Sequence, residues 1–270
     1  MIRALRVLAR SFRDFYLDAG VAQAAALAYF VMMTMVPFLL FLISLAGHFM
    51  GGARFYRFFF SRIINYFPQG TERVALIVDH LGRYRGTGVS SLALYGLLSY
   101  GLFLNVEKAM NIIFKVKKGR HVLHSAILAV FVILLIGVLI LFSLVFNGFE
   151  PVLMFLGRTL KLREIHLIII KYILPGILLF AVSSAVYFFM PARKIRPSEA
   201  MWGALFTSSA IEAAKRFFAL YIRHVWIGRF YGPLSAFMVF LLWIFYCSCI
   251  FIVGGEIAHN AGAAGKGVKR

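Results

Sequence analysis

Five stretches of this chain run for more than twenty residues without a charged side chain: 19–53, 86–106, 121–149, 172–192 and 230–255. A helix crossing the hydrocarbon core of a bilayer, ~30 Å thick, needs about 20 apolar residues, because each adds about 1.5 Å. Every one of the five is long enough. A sixth stretch, from 200 to about 221, is uncharged only as far as Ile211 and then meets Glu212, Lys215 and Arg216. It is read as a span because the short basic turn at 191–197 (PARKIRP) must lead on to the last apolar run within a compact chain. The expected fold is all-α: a polytopic membrane protein with a six-helix transmembrane bundle and amphipathic interfacial helices. Composition agrees, with 62% hydrophobic and 14% charged residues where soluble domains carry about 25% charged.

The segments between the runs suit the membrane surface. In residues 1–18, Arg3, Arg6, Arg10 and Arg13 recur at helical spacing, with Leu5, Leu8, Phe12 and Phe15 on another side. That pattern predicts an amphipathic helix lying in the interface plane. A cleaved signal peptide fits poorly, since Asp14 and Asp18 intervene and the following apolar stretch is too long. In 51–85, Arg54, Arg57 and Arg62 lie among aromatic residues, which predicts interfacial helices with a headgroup-facing basic side. The organisation expected is an N-terminal helix (1–18), a single six-span domain (19–260) and a basic tail (261–270).

Lys plus Arg outnumber Asp plus Glu by 29 to 10, for a net charge of +19. Cations on so apolar a chain find their counter-charge in phospholipid headgroups. They are spread over both membrane sides, with no basic soluble domain or nucleic-acid motif, so no nucleic-acid partner is expected. Lys115, Lys117, Lys118 and Arg120 fall within six residues, and three further cations crowd the 191–197 turn. Short basic loops face the cytoplasm, which puts both termini inside a multi-pass cytoplasmic-membrane protein. Cys247 and Cys249 form no disulfide framework and leave the redox compartment open.

Chemistry is sparse. The seven histidines are scattered without a His-Glu-x-x-His spacing, and the His121/His124 pair has no carboxylate beside it. No Gly-x-Ser-x-Gly elbow or nucleotide-binding loop occurs. The expectation is no enzyme, no metal and no cofactor. Polar residues in or near spans carry more information, because a charge in hydrocarbon needs a partner or water. Ser208, Glu212 and Lys215 or Arg216 share one side of the fifth span, where Glu212 can also pair with a cation of its own helix. Glu107 and Asn111 share a side at the end of the second span, with Asn105 nearby, and Glu256 follows two glycines at the end of the last uncharged run. Each of these also has a plain reading as an intrahelical ion pair, helix-end solvation or a charge at the membrane exit.

The segment 23–29 (QAAALAY) followed by Pro37, then 105–114 (NVEKAMNIIF), 190–196 (MPARKIR), 203–205 (GAL), 215–221 (KRFFALY), 231–234 (YGPL), 241–243 (LLW) and 254–256 (GGE), resembles the YihY/virulence factor BrkB family of bacterial inner-membrane proteins. The motifs stand in order between about residues 20 and 260, with Pro233 and Gly255 as small departures. The resemblance implies a six-span bundle with both termini cytoplasmic. The family's label ribonuclease BN is regarded as a misassignment, and suggestions of transport or lipid traffic name no molecule.

Two functional expectations follow. One is a non-enzymatic transporter or lipid-handling protein whose pathway uses Asn105, Glu107, Asn111, Ser208, Glu212, Lys215, Arg216 and Glu256, with Arg54, Arg57 and Arg62 drawing anionic headgroups. The other is a non-transporting scaffold for envelope machinery, in which the same groups serve packing and the partners are envelope proteins as well as membrane lipids. Oligomeric state and substrate stay open.

Overall fold

The computed structural model describes residues 2–49, 89–117, 119–121, 124–132, 135, 137–139, 174–224 and 234–266, and every regular element among them is helical. The helices are α1 (Ile2–Leu17), α2 (Gly20–Phe49), α3 (Val89–Ile113), α4 (Leu174–Phe189), α5 (Pro197–His224) and α6 (Leu234–Lys266). An apolar helix, His124–Leu139, lies between α3 and α4 in the chain. The basic residues 54, 57 and 62 fall outside the described residues. Among the described residues one helix, Phe237–Ala263 within α6, is by itself long and apolar enough to cross a membrane, with 27 residues of mean hydropathy 2.5. Leu5–Leu17 and Gly20–Thr34 reach that standard only as a pair, bent by 74°.

Contacts divide the chain into two compact units, residues 34–101 and residues 1–33 with 102–270. The first contains the later part of α2, which stays helical through Pro37, and the beginning of α3. The second holds α1, α4, α5 and α6, with α6 packed against the other three.

The packing of α5 on α6 is antiparallel and depends on missing side chains. Gly203 faces the Gly254 carbonyl and the Ala258 methyl, Glu199 lies over Gly262, and Phe218 stacks near Trp243 further along. A Cβ on Gly254 would collide with both Thr207 Oγ1 and Tyr187 Oη. Small residues serve this purpose in lipid, where apolar side chains gain little by leaving one another and helices associate through close packing. Tyr187 of α4, fully buried, closes the three-helix junction: its hydroxyl donates to the Phe251 carbonyl (2.6 Å) and meets Thr207 Oγ1 at 2.7 Å. Since the phenol has one proton and the carbonyl takes it, Thr207 donates to Tyr187.

The outer faces are apolar. Ile127 (65% exposed), Trp202 (61%) and Phe217 (73%) point away from the core, while Thr207, Ser183 and Ser248 point inward. Water would penalise that distribution and hydrocarbon would not.

Among the described residues, two helix ends are built in the left-handed region without glycine. Ala19 (φ 53°) makes the corner between α1 and α2. Lys115 (φ 52°) ends α3, with Lys115 N–H bonded to Ile112 O and Val116 N–H to Asn111 O, the paired pattern of a Schellman cap. A non-glycine residue in that conformation costs about 1–3 kcal/mol. Here it brings the Lys115 ammonium to 4.0 Å from Asp18 Oδ2, beside the α1–α2 corner.

Candidate functional site

The second half of α6 buries an acid. Glu256 is completely inaccessible, and neither carboxylate oxygen has a hydrogen-bond partner among the described residues. One turn later, Asn260 donates its amide to Ser11 Oγ (3.1 Å) and Asp14 Oδ2 (3.0 Å), tying α1 down over this part of α6. Phe15, on the same helix, is buried and packs against Gly20 at the start of α2. The carboxylates of Asp18 and Asp14 repel Glu256, and Lys115 attracts it. Gln23 donates to the Asp18 carbonyl at 2.6 Å, leaving its own carbonyl oxygen buried and without a hydrogen-bond partner, as is Asp18 Oδ2. The exposed Arg10–Asp14 pair, at 3.8 Å, adds little. A carboxylate held in this way can accept a proton or a cationic group and release it, since neither state is already locked by a hydrogen bond.

The α1 anchor gives a direct prediction. Asn260→Ala removes both side-chain bonds, each worth about 0.5–1.5 kcal/mol and more toward a charged acceptor. Cleavage by trypsin at Arg6, Arg10 and Arg13 under native conditions is therefore expected to rise about tenfold or more, as it tracks the population of undocked α1. An unchanged rate would show that these two bonds do not hold the helix.

Among the described residues, the other sequence candidates lie on α3 and α5. Glu107, buried on α3, accepts a 2.9 Å bond from Ser125 Oγ in the helix that begins at His124. Asn111, one turn on, accepts from the Ala192 backbone N–H at 2.8 Å, so this face of α3 is tied to the helix that begins at His124 and to the segment after α4. Asn105 is half-buried on the same helix. Ser208 is buried and donates to Leu205 O within α5. Glu212 forms an ion pair with Lys215 one turn away, and Arg216 beside them is exposed. Lys215 interacts with Cys247, nine residues before Glu256 on α6, a separation of roughly 13 Å along a helix. The structure therefore joins Glu107 and Asn111 at one end of α3, keeps Glu212 and Lys215 with each other, and places Glu256 among residues of α1, the α1–α2 corner and the α3 cap.

Members of that last group carry little signal as isolated residues: Ser11 and Asn260 are unmarked in a linear reading, Lys115 counts only as one cation of the 115–120 cluster, and Gln23 only as the first residue of the 23–29 segment. Asp14 with Asp18, and Glu256 with Asn260, share an i, i+4 spacing, and that common pattern was the available clue. Among the described residues no three His, Cys, Asp or Glu side chains are placed to hold a metal ion. The rings of His121 and His124 meet edge-on with centroids 6.5 Å apart.

The profile described as virulence factor BrkB matches residues 11–267. The chain belongs to the BrkB family. A UPF0761 membrane protein of Vibrio vulnificus is 27% identical over 246 residues, covering 89% of this chain and 77% of the relative. One from Aliivibrio fischeri is 24% identical over 258 residues (91% and 79%), and one from Chlorobium luteolum is 27% identical over 266 residues (94% and 61%). No solved structure matches. This BrkB-family chain is thus a membrane protein, in agreement with its apolar outer faces.

Proposed function

We propose that this BrkB-family protein is a non-enzymatic transporter or lipid-handling protein of the bacterial cytoplasmic membrane, built on six spans with both termini inside. The observation that carries the reading is Glu256: a carboxylate buried within a helix long and apolar enough to cross a membrane, with no hydrogen bond to either oxygen among the described residues and with the charges of Asp18 and Asp14 acting against it. Intramembrane ionisable groups are costly and are characteristic of substrate, ion and proton pathways. A purely structural acid would be expected to be neutralised by a close partner, as Glu212 is by Lys215. In this reading Glu256 takes up and releases charge during the cycle, and docking of α1 over it controls access.

The test is reconstitution into liposomes containing a fluorescent phospholipid, with leaflet exchange followed by chemical quenching. Wild-type protein is expected to accelerate exchange over empty vesicles. Glu256→Gln, which keeps shape and removes the charge, is expected to lower the rate at least tenfold, about 1.4 kcal/mol in the barrier, with folding intact. Equal exchange in empty, wild-type and variant vesicles would overturn the reading and favour a scaffold whose polar groups serve packing.

A further inference from the structure

Where the turn before His124 meets the turn after α4, the surface opens into a cleft of about 1110 Å³. One end is basic, formed by Arg120, Arg193 and Lys194 with His121 and His124, and among the described residues no carboxylate lines it. The rest is apolar, from Ile127, Leu128 and Phe131 on one helix and Phe188 and Phe189 on the other. Phe131 and Phe189 meet edge-on at 5.4 Å and join the two walls.

The basic end is built rather than incidental. Arg120 donates from Nη1 to the Phe189 carbonyl (2.9 Å) and from Nη2 to the Pro191 carbonyl (2.8 Å), fastening one turn to the other. Arg193 Nη1 reaches the Phe114 carbonyl at 3.4 Å. Both guanidinium groups are thereby positioned through neutral acceptors, so their charge is held in place without being cancelled. Lys194 stands exposed beside them. Two apolar helices, His124–Leu139 and Pro175–Phe189, terminate at these turns, so cations sit at the polar end of an oily wall.

We infer that this cleft binds an anionic glycerophospholipid, its phosphate at Arg193, Lys194 and Arg120 and an acyl chain along Ile127 and Phe131. Charge complementarity chooses an anion, and the exposed wall (Ile127 65%, Phe131 48%) chooses one with a hydrocarbon tail. A small soluble anion would use the rim and leave the wall bare. Polybasic groups beside a membrane contribute about a fivefold gain in affinity for anionic lipid per cation, and a guanidinium held in a fixed orientation suits phosphate oxygens. The inference deepens the lipid-handling reading by naming a lipid class, and it rests on that reading for its functional meaning.

The full chain in phosphatidylcholine nanodiscs is titrated with phosphatidylglycerol, and bound lipid is counted by native mass spectrometry. Wild-type protein is expected to retain phosphatidylglycerol over phosphatidylcholine by tenfold or more, and Arg193→Gln with Lys194→Gln to lose most of that preference, about fivefold per charge. Ile127→Ser is expected to weaken phosphatidylglycerol as well, while millimolar glycerol phosphate leaves it bound. If the double variant does not fold, Lys194→Gln alone, on an exposed side chain, carries the charge arm. Equal retention of the two lipids by wild-type protein overturns the inference, as does full displacement by glycerol phosphate, which would make the cleft a soluble-anion site. Occupancy is read at equilibrium with no lipid moved, so either result leaves the exchange rates of wild type and Glu256→Gln to stand or fall separately.

Discussion

Gly254→Val is expected to prevent the protein from reaching its folded state. The position lies where α5 and α6 cross, and the space a side chain would need is already taken by Thr207 Oγ1 and Tyr187 Oη. Neither atom is the free end of a flexible group. Tyr187 is anchored to the Phe251 carbonyl and Thr207 is anchored to Tyr187, so relief requires breaking both bonds or moving the helices apart. Separation would also undo the contact of Gly203 with the Gly254 carbonyl and that of Glu199 with Gly262. Overpacking a close-packed site costs about 1–3 kcal/mol for small insertions, and valine adds three carbons and loses two hydrogen bonds worth about 1 kcal/mol each. The sum approaches the whole stability of many domains. Yield of monodisperse protein after detergent extraction, with thermal unfolding of whatever survives, is the measurement. Gly176→Ala is the control: among the described residues a Cβ there meets nothing within 4 Å, and a change within about 1 kcal/mol of wild type is expected. Similar stability for Gly254→Val would mean that α5 and α6 do not cross at glycine.

Much of the helical layout was legible because uncharged runs in a sequence translate directly into apolar helices. The run at 230–255 corresponds to α6, yet the helix continues to Lys266. Ending a run at the first charge treats Glu256 as an exit marker, whereas a carboxylate does not terminate a helix and this one lies inside. What hides it is α1, bound through Asn260 to Ser11 some 249 residues away. Periodicity reports which face of a helix is apolar and contains nothing about which distant segment will cover it. Local chemistry was more accessible: the spacing of Glu212 and Lys215 permits the ion pair that the structure contains. Asp14 and Asp18 bear on the sequence reading only as charges that argue against a cleaved leader, and their proximity to Glu256 is a tertiary fact. Tyr187, the hub of three helices, is one aromatic among many in an aromatic-rich chain.

Glu256→Met is expected to make the protein more stable and inactive. Methionine matches glutamate in length and packs without a charge, so the substitution removes the desolvation cost of a buried carboxylate and its repulsion by Asp18 and Asp14. Lys115 loses an attraction but keeps Asp18 at 4.0 Å. Apolar replacement of buried ionic groups has stabilised other proteins by about 1–4 kcal/mol, and a rise of that size in unfolding free energy, read by thermal or denaturant unfolding in detergent, is the first expected result. The second is loss of lipid exchange in liposomes to the level of empty vesicles. The two results together separate the alternatives. A gain in stability with no loss of exchange would leave Glu256 without a function to justify its cost. A fall of 3 kcal/mol or more, the size of effect seen when a buried charge loses its partner, would show that the carboxylate is satisfied and structural. Stability gained and exchange lost is the pattern expected when an acid is kept in an apolar helix for the charge it takes up and releases.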